Sequence, residues 1–374
     1  MRSFDEIFED KTKYGTKIKT SEYKEIGKYA IIDQGQEEIA GYTDLEKGVF
    51  EDVPAIIFGD HTRVIKYVRD PFFLGADGVK ILKCKELNVN YKYLYYALKN
   101  AKIPNTGYNR HFKWLKQIQI EYPSIDKQEK IVKILDKVVM VIEDRRKEIQ
   151  ELDKLIKARF VEMFGDIKVN PNGYQLIKMR NLIASCEAGW SGNGIQRPKK
   201  ENEIAVLKVS SVTKGYFIPE ECKVLDNQDN IKKYISPKKG DLIFSRANTR
   251  EMVGATAITL EDYPKLILPD KLWRVRFGDK VNVFYMKYML SSKSIREQFS
   301  AVSTGTSGSM FNVSMEKFKS IEIPVAPINL QNQFADFVKQ VNKSKVVYQI
   351  IINKLTFLQK ICYNNYKEQY HIPG

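Results

Sequence analysis

DKQEKIVKILDKVVMVIEDRRKEIQELDKLIKARFVEMF, residues Asp126 to Phe164, is the stretch from which the rest of the chain is read. From Ile131, steps of four and three residues alternate through Leu135, Val138, Ile142, Arg145, Ile149, Leu152, Ile156, Arg159 and Met163. An average step of about 3.5 residues keeps an apolar stripe facing one partner as helices supercoil, so the pattern predicts a coiled-coil seam. The positions between are mostly Lys, Glu, Asp and Arg, and neither Gly nor Pro interrupts the run. At about 1.5 Å rise per residue the helix spans roughly 55–60 Å. Gly165-Asp166 supplies a C-terminal cap, with turn residues from Pro171 to Gly173 beyond it. A helix with so narrow a seam requires a partner.

The partner lies in the same chain. A shift of 203 residues carries Ile131 to Phe334, and the seam repeats through Val338, Val341, Lys345, Tyr348, Ile352, Leu355, Gln359, Cys362 and Tyr366. Ile125 to Gln128 (IDKQ) falls on Ile328 to Gln331 (INLQ), each after a Pro-containing segment. Two equivalent helices closing two equivalent halves mean an internal duplication. The expected fold is α+β: two duplicated mixed α/β domains, residues 1–124 and 167–327, separated by two long antiparallel coiled-coil helices, 125–166 and 328–374.

Composition sets the outer limits. The 374 residues are 43% hydrophobic, ample for cores, and carry a net charge of +15 with a pI near 9.3. Such a basic surface suits a polyanion, most often nucleic acid, although a generally solvated surface has the same charge. No signal peptide is evident and no apolar run reaches the roughly 18 residues of a membrane span. Cys84, Cys186, Cys222 and Cys362 are scattered without pairing or metal spacing, which reads as a reduced cytoplasm and no zinc.

Within the first half, Tyr29–Asp33, Val53–Phe58, Asp77–Lys83 and Gln117–Tyr122 read as strands and Tyr91–Asn100 as a helix. The second half repeats the order: Asp241–Phe244 matches Ala55–Phe58, Pro269–Val275 matches Ala76–Leu82, and Asn282–Leu290 matches Asn90–Leu98. Both halves have an Asp entering the later strand, and both place a polar loop before the segment leading to the long helix. The framework is shared while the loop side chains differ, so the halves are expected to read two different things.

Catalytic motifs are missing. No G-x-x-x-x-G-K-[ST] phosphate loop and no Asn-Pro-Pro-Tyr-like adenine methylase motif occurs; Asn170 to Tyr174 is a turn after a helix cap. Pro269-Asp270-Lys271 faintly resembles part of a metal-dependent nuclease site, but no supporting acid stands in register and it matches Asp77. His61, His111 and His371 are too dispersed to suggest a ligand set or triad.

Binding chemistry is present. Reading bases in the major groove takes Arg for guanine, Asn or Gln for adenine and Asp or Glu for cytosine, while phosphates take basic groups, hydroxyls and amides. The candidates in the first half are Gln34, Asp60, His61, Thr62, Arg63, Asn109, Arg110 and His111. In the second half they are Trp190 and Ser191 in a glycine-rich loop, then Arg246, Asn248, Thr249, Arg250, Thr306 and Ser307. Each has a plainer role open to it. Asp60 and His61 suit a turn, Arg246 suits an ion pair with a neighbouring acid, and Trp190 suits packing. Tyr91, Tyr93, Tyr95 and Tyr96 suit helix packing better than a base-stacking platform.

The order of parts resembles the specificity subunit of a type I restriction-modification system. That order is a variable basic domain, a Pro-x-I-x-x-Q lead-in, a long helix ending LIKARFVEMFGD, and a second unit ending LQNQFADFVKQVNKSK with its own helix. The resemblance covers essentially the whole chain and is most specific over Ile125–Asp136, Leu152–Asp166 and Leu330–Lys345. It implies two target-recognition domains that each bind one half of a split double-stranded DNA sequence. It also implies two modification subunits docked on the helices, which carry adenine methylation with S-adenosylmethionine, and a restriction and translocation subunit. The chain itself is then a non-catalytic, cytoplasmic adaptor without a cofactor. One turn of B-DNA is about 34–36 Å, so the long helix suits half-sites parted by a gap. Two other classes compete: an RNA-binding or nucleic-acid scaffold protein, which calls for stacking aromatics on an exposed sheet, and a nuclease or fused methylase, which calls for the missing motifs. Neighbouring methylase and translocase genes would favour the adaptor.

Overall fold

The computed structural model describes residues 1–75, 77–107, 109–228, 230–304 and 310–368, with side chains as far as residue 359. The chain divides into two compact units. One is Met1–Lys147 with the chain from Tyr348 onward, and the other is Glu148–Val347.

The first unit is built on two sheets. In the larger, Phe8–Asp10, Val79–Cys84, Ala55–Gly59 and Ile65–Val68 lie side by side, all antiparallel. In the smaller, Tyr29–Ile32 pairs antiparallel with Gly41–Thr43 and parallel with Phe72–Leu74. The central strand Ala55–Gly59 is buried at every residue, as an uninterrupted apolar run between covered faces should be. It starts at Ala55 rather than Val53 because Pro54 has no N–H for the ladder. Val79–Cys84 starts after Gly78, whose φ of 81° makes the turn into it. Of the expected strand Gln117–Tyr122 only Gln119–Ile120 pairs, because its partner, Arg2–Ser3, is two residues long.

The second unit repeats the plan. Ile183–Ala188, Leu272–Phe277, Leu242–Ser245 and Thr256–Ile258 form its antiparallel sheet in the corresponding order. In its other four-stranded sheet Ala205–Leu207 pairs parallel with Leu266–Ile267 and antiparallel with Cys222–Leu225, which also pairs with Gly194–Ile195. Helix Tyr91–Lys99 of the first unit corresponds to Val283–Ser291, each capped by an Asn side chain, Asn90 and Asn282. Tyr93 and Tyr96 are buried and Tyr91 and Tyr95 half-buried, so this helix's tyrosines pack.

The long helices run Ile125–Phe164 and Ile328–Glu368, about 60 Å each. All ten seam positions from Ile131 to Met163 are buried or half-buried, as are those from Phe334 to Gln359. In the second unit Phe160 meets Phe334 at 5.3 Å and Lys345 donates to Asp153 at 2.6 Å, so one number rises as the other falls and the helices are antiparallel. Phe160, Phe164, Tyr285, Tyr288 and Phe334 form one aromatic cluster, joining both helices to the domain core. In the first unit Ile131, Val132 and Leu135 enter the core around Phe4, Phe58 and Tyr93. Gly165 ends the first helix at φ 76°, and a Cβ there would stand 2.4 Å from the Pro171 ring.

One latch is built twice. Gln128, 1% exposed, accepts from the Asn90 amide at 2.9 Å and donates to the Pro123 carbonyl at 2.9 Å. Gln331, 0% exposed, accepts from the Asn282 amide at 2.8 Å and donates to the Ala326 carbonyl at 2.7 Å. Tyr93 and Tyr285 donate to the carbonyls of Glu121 and Pro324, both at 2.8 Å. The Gln of each I-x-x-Q lead-in, Ile125–Gln128 and Ile328–Gln331, is thus a buried amide that fixes the start of its long helix on its domain.

Candidate nucleic-acid interface

In the first unit four separate segments are tied together at one end of the larger sheet. The Gly59–Arg63 turn closes on itself, Gly59 N to Val64 O at 2.8 Å and Arg63 N to Gly59 O at 2.7 Å. Gln34 spends its side-chain amide on this framework: Oε1 accepts from His61 N at 3.2 Å and Nε2 donates to Asp77 O at 3.0 Å. The Thr62 hydroxyl donates to the Gln34 carbonyl at 2.6 Å.

Asp60 and His111 correct the expectation of direct contact. Asp60 is 3% exposed and His111 0%. The Asp60 carboxylate accepts from Phe112 N at 2.7 Å, and its carbonyl accepts from His111 N at 2.8 Å and His111 Nδ1 at 3.0 Å. A carbonyl only accepts, so Nδ1 carries the proton, leaving Nε2 to accept from Thr106 N at 3.4 Å. These two side chains hold the loops and have no surface for a partner. Gln34 is half-buried and similarly committed. Thr62, Asn109 and Arg110 are exposed, and Arg63 and His61 are half-buried. Arg63 Nη1 donates to the Ile103 carbonyl at 3.4 Å.

The second unit uses the same backbone frame with other side chains. Arg246 N donates to Lys271 O at 3.0 Å as Asp60 N donates to Gly78 O at 2.6 Å. Val313 N donates to Arg246 O at 2.9 Å as His111 N donates to Asp60 O. Arg246 therefore stands where Asp60 does. Its Nε donates to the Asp270 carbonyl at 3.0 Å and its Nη2 lies 3.6 Å from Asp270 Oδ2, so the ion pair open to it in the sequence is made. Ser191 donates its hydroxyl to the same carboxylate.

Ala247–Asn248 pairs with Phe311–Asn312, and Asn248 Oδ1 accepts from Thr249 N at 2.9 Å. The Asn248 Nδ2 has no partner among the described residues. Thr249 and Arg250 are exposed, with Arg250 donating to Ser300 at 3.3 Å and its guanidinium 5.5 Å from the Phe311 ring centroid. Trp190 packs on Val206, Leu225 and Ile267, so its indole is half-buried framework. Gly189 beside it has no room for a Cβ, which would stand 1.9 Å from the Leu268 carbonyl. Thr306 and Ser307 lie outside the described residues.

Asp77 and Asp270 were not among the candidates, although the sequence places both at the entry to a strand. Asp77 pairs with Lys17, which with the neighbouring Arg110 holds its carboxyl below the usual carboxylate range. Among the described residues no His, Cys, Asp or Glu group is placed to hold a metal ion. No helix there is long and apolar enough to cross a membrane.

Known proteins resemble the chain in sequence. The chain is 25% identical over 181 residues to the type I restriction enzyme EcoEI specificity subunit of Escherichia coli, covering 47% of this chain and 30% of that one. It thus spans under a third of that relative's length. It is 22% identical over 361 residues to the EcoR124I/EcoR124II specificity subunit of the same species, covering 88% of this chain and 83% of that one. Among solved structures, the S subunit of a type I restriction-modification system from M. genitalium aligns over 97% of this chain and 94% of its own, at 15% identity and a TM-score of 0.49. The type I restriction modification DNA specificity domain matches residues 1–154 and again 194–356, so the chain belongs to that family and carries its domain twice.

Proposed function

We propose that this chain is the sequence-reading subunit of a type I restriction-modification complex, binding a split double-stranded DNA target with one half-site for each domain. One observation carries the reading. Two domains anchor the same loops by the same backbone bonds and hang different side chains from them, Asp60 against Arg246 and Lys17–Asp77 against Ser191–Asp270. A duplicated frame with divergent loops suits two different base sequences, and the net charge of +15 suits the phosphates.

Thr62, Arg63, Asn109 and Arg110 face DNA in the first domain and Arg246, Asn248, Thr249 and Arg250 in the second. His61 flanks the first group. The chain performs no chemistry. It works in the cytoplasm by bringing modification subunits, one for each repeat of the long helix, to their adenines, with S-adenosylmethionine held on those subunits. A restriction and translocation subunit joins the same complex.

The test is a genome-wide map of methylated adenine in the source cell, with and without this gene. Loss of methylation at one split motif is the expected result. An unchanged map sinks the proposal.

A further inference from the structure

Asp270 joins two segments of the second domain that are far apart in sequence. On one side the Ser191 hydroxyl donates to its Oδ1, and the Asp270 amide donates back to Ser191 Oγ at 3.3 Å. On the other side Arg246 Nε donates to the Asp270 carbonyl at 3.0 Å, with Nη2 3.6 Å from Oδ2. The backbone of Arg246 is fixed at both N–H and C=O, by Lys271 and Val313. A long side chain at a surface normally gives up much rotamer freedom on binding, and here that freedom is spent before any partner arrives.

We propose that Asp270 is a positioning residue that presents Arg246 to a guanine in the major groove of the half-site read by the second domain; this rests on the DNA-recognition function proposed above. A guanidinium has two forks, the Nε–Nη2 edge and the Nη1–Nη2 end. Asp270 holds the edge. The end points away from it and matches O6 and N7 of guanine, two acceptors that no other base pair offers side by side. Arg246 keeps 29% of its side-chain surface exposed. The pairing to Asp270 and the reading of a base are therefore compatible, using different sides of one group.

The first domain supplies a comparison at the same backbone position. There Asp60 is turned inward, and the equivalent of Asp270, Asp77, is 87% exposed and paired with Lys17. The second domain alone carries an arginine at this point of the frame.

The experiment replaces the gene in its source cell with variants and maps methylated adenine in each. The unaltered gene is expected to direct methylation to a split motif with guanine in one half. Asp270→Asn and Arg246→Lys are each expected to relax that one guanine, raising methylation of sites with another base there about tenfold to a hundredfold relative to the guanine site. Asp77→Asn is expected to leave that position strict. Ser191→Ala, which loosens Asp270 without touching Arg246, relaxes the same position more weakly and keeps the test open if Asp270→Asn fails to accumulate. Equal dimming of every site by the Asp270 and Ser191 variants, an unchanged motif, or a motif lacking guanine would each overturn the inference. If deleting the gene removes no methyl mark, DNA recognition itself has failed, which is a separate result.

Discussion

Arg63 holds its backbone at φ 61°, in the left-handed region where a Cβ is strained and glycine is at ease. Strain of this kind gathers at sites where the side chain serves a partner. Arg63→Gly is expected to change stability favourably by up to about 1 kcal/mol in urea denaturation while reducing methylation of the target. A loss of stability instead would mean that the bond to Ile103 outweighs the strain. Lys287 carries a second cost. Half-buried against the Tyr288 ring, its ammonium 4.0 Å from the centroid, it lies among Asp153, Lys157 and Lys345. Burial pushes its pKa down to about 8 from 10.5. The unfolded chain therefore binds more protons between those values, and stability from this group rises with pH from about 8 to 10.5. Lys287→Met should raise stability at pH 7 by about 1–3 kcal/mol and flatten that rise, read as the difference between variant and parent melting curves across the range. Sequence alone did not separate Asp60 from Arg246. Both follow a buried strand, and which turns inward depends on Phe112 and Asp270, groups brought in by the tertiary fold.

At the scale of elements, the long helices were legible because ten seam positions at a constant period leave little else to build. Of the strands in the second sheet of each unit only Tyr29–Ile32 was. Gly41–Thr43 and Ala205–Leu207 are three residues each, too short for alternation to register, and their pairing is decided by partners elsewhere in the chain. Helix Lys293–Val302, which buries Ile295 and Phe299, went unread for the same reason: its stripe is only two buried residues wide. The Gln of the lead-in was legible as a match but not as a latch, since nothing in the sequence marks an amide as buried. Gln331→Ala removes an acceptor and a donor from a site that excludes water, and should cost roughly 2–4 kcal/mol in chemical denaturation. Gln331→Glu keeps the acceptor for Asn282 but buries a carboxylate against the Ala326 carbonyl, so it should cost at least as much. Equal stability of all three proteins would show that the latch contributes nothing.

At the scale of the molecule, the duplication was visible in a single 203-residue shift, yet the units do not end where the helices begin. Their boundary falls within both long helices, at Lys147 and Glu148 in the first and at Val347 and Tyr348 in the second. The cores draw it there: Ile131 and Leu135 belong to one, while Ile156, Phe160, Phe334 and Val338 belong to the other. A chain ending at Val347 should keep the second unit's slow amide exchange and lose protection over 125–147, where Arg145 lies against Tyr348 and Ile142 is buried. Unchanged protection there would contradict this. The ribosome works from N- to C-terminus, so the second unit has all its residues once Val347 has emerged. The first, begun earlier, waits for the segment that follows Tyr348 to complete its own helix pair. The unit translated first is finished after the second, and a nascent chain holds a half-built seam until that segment appears.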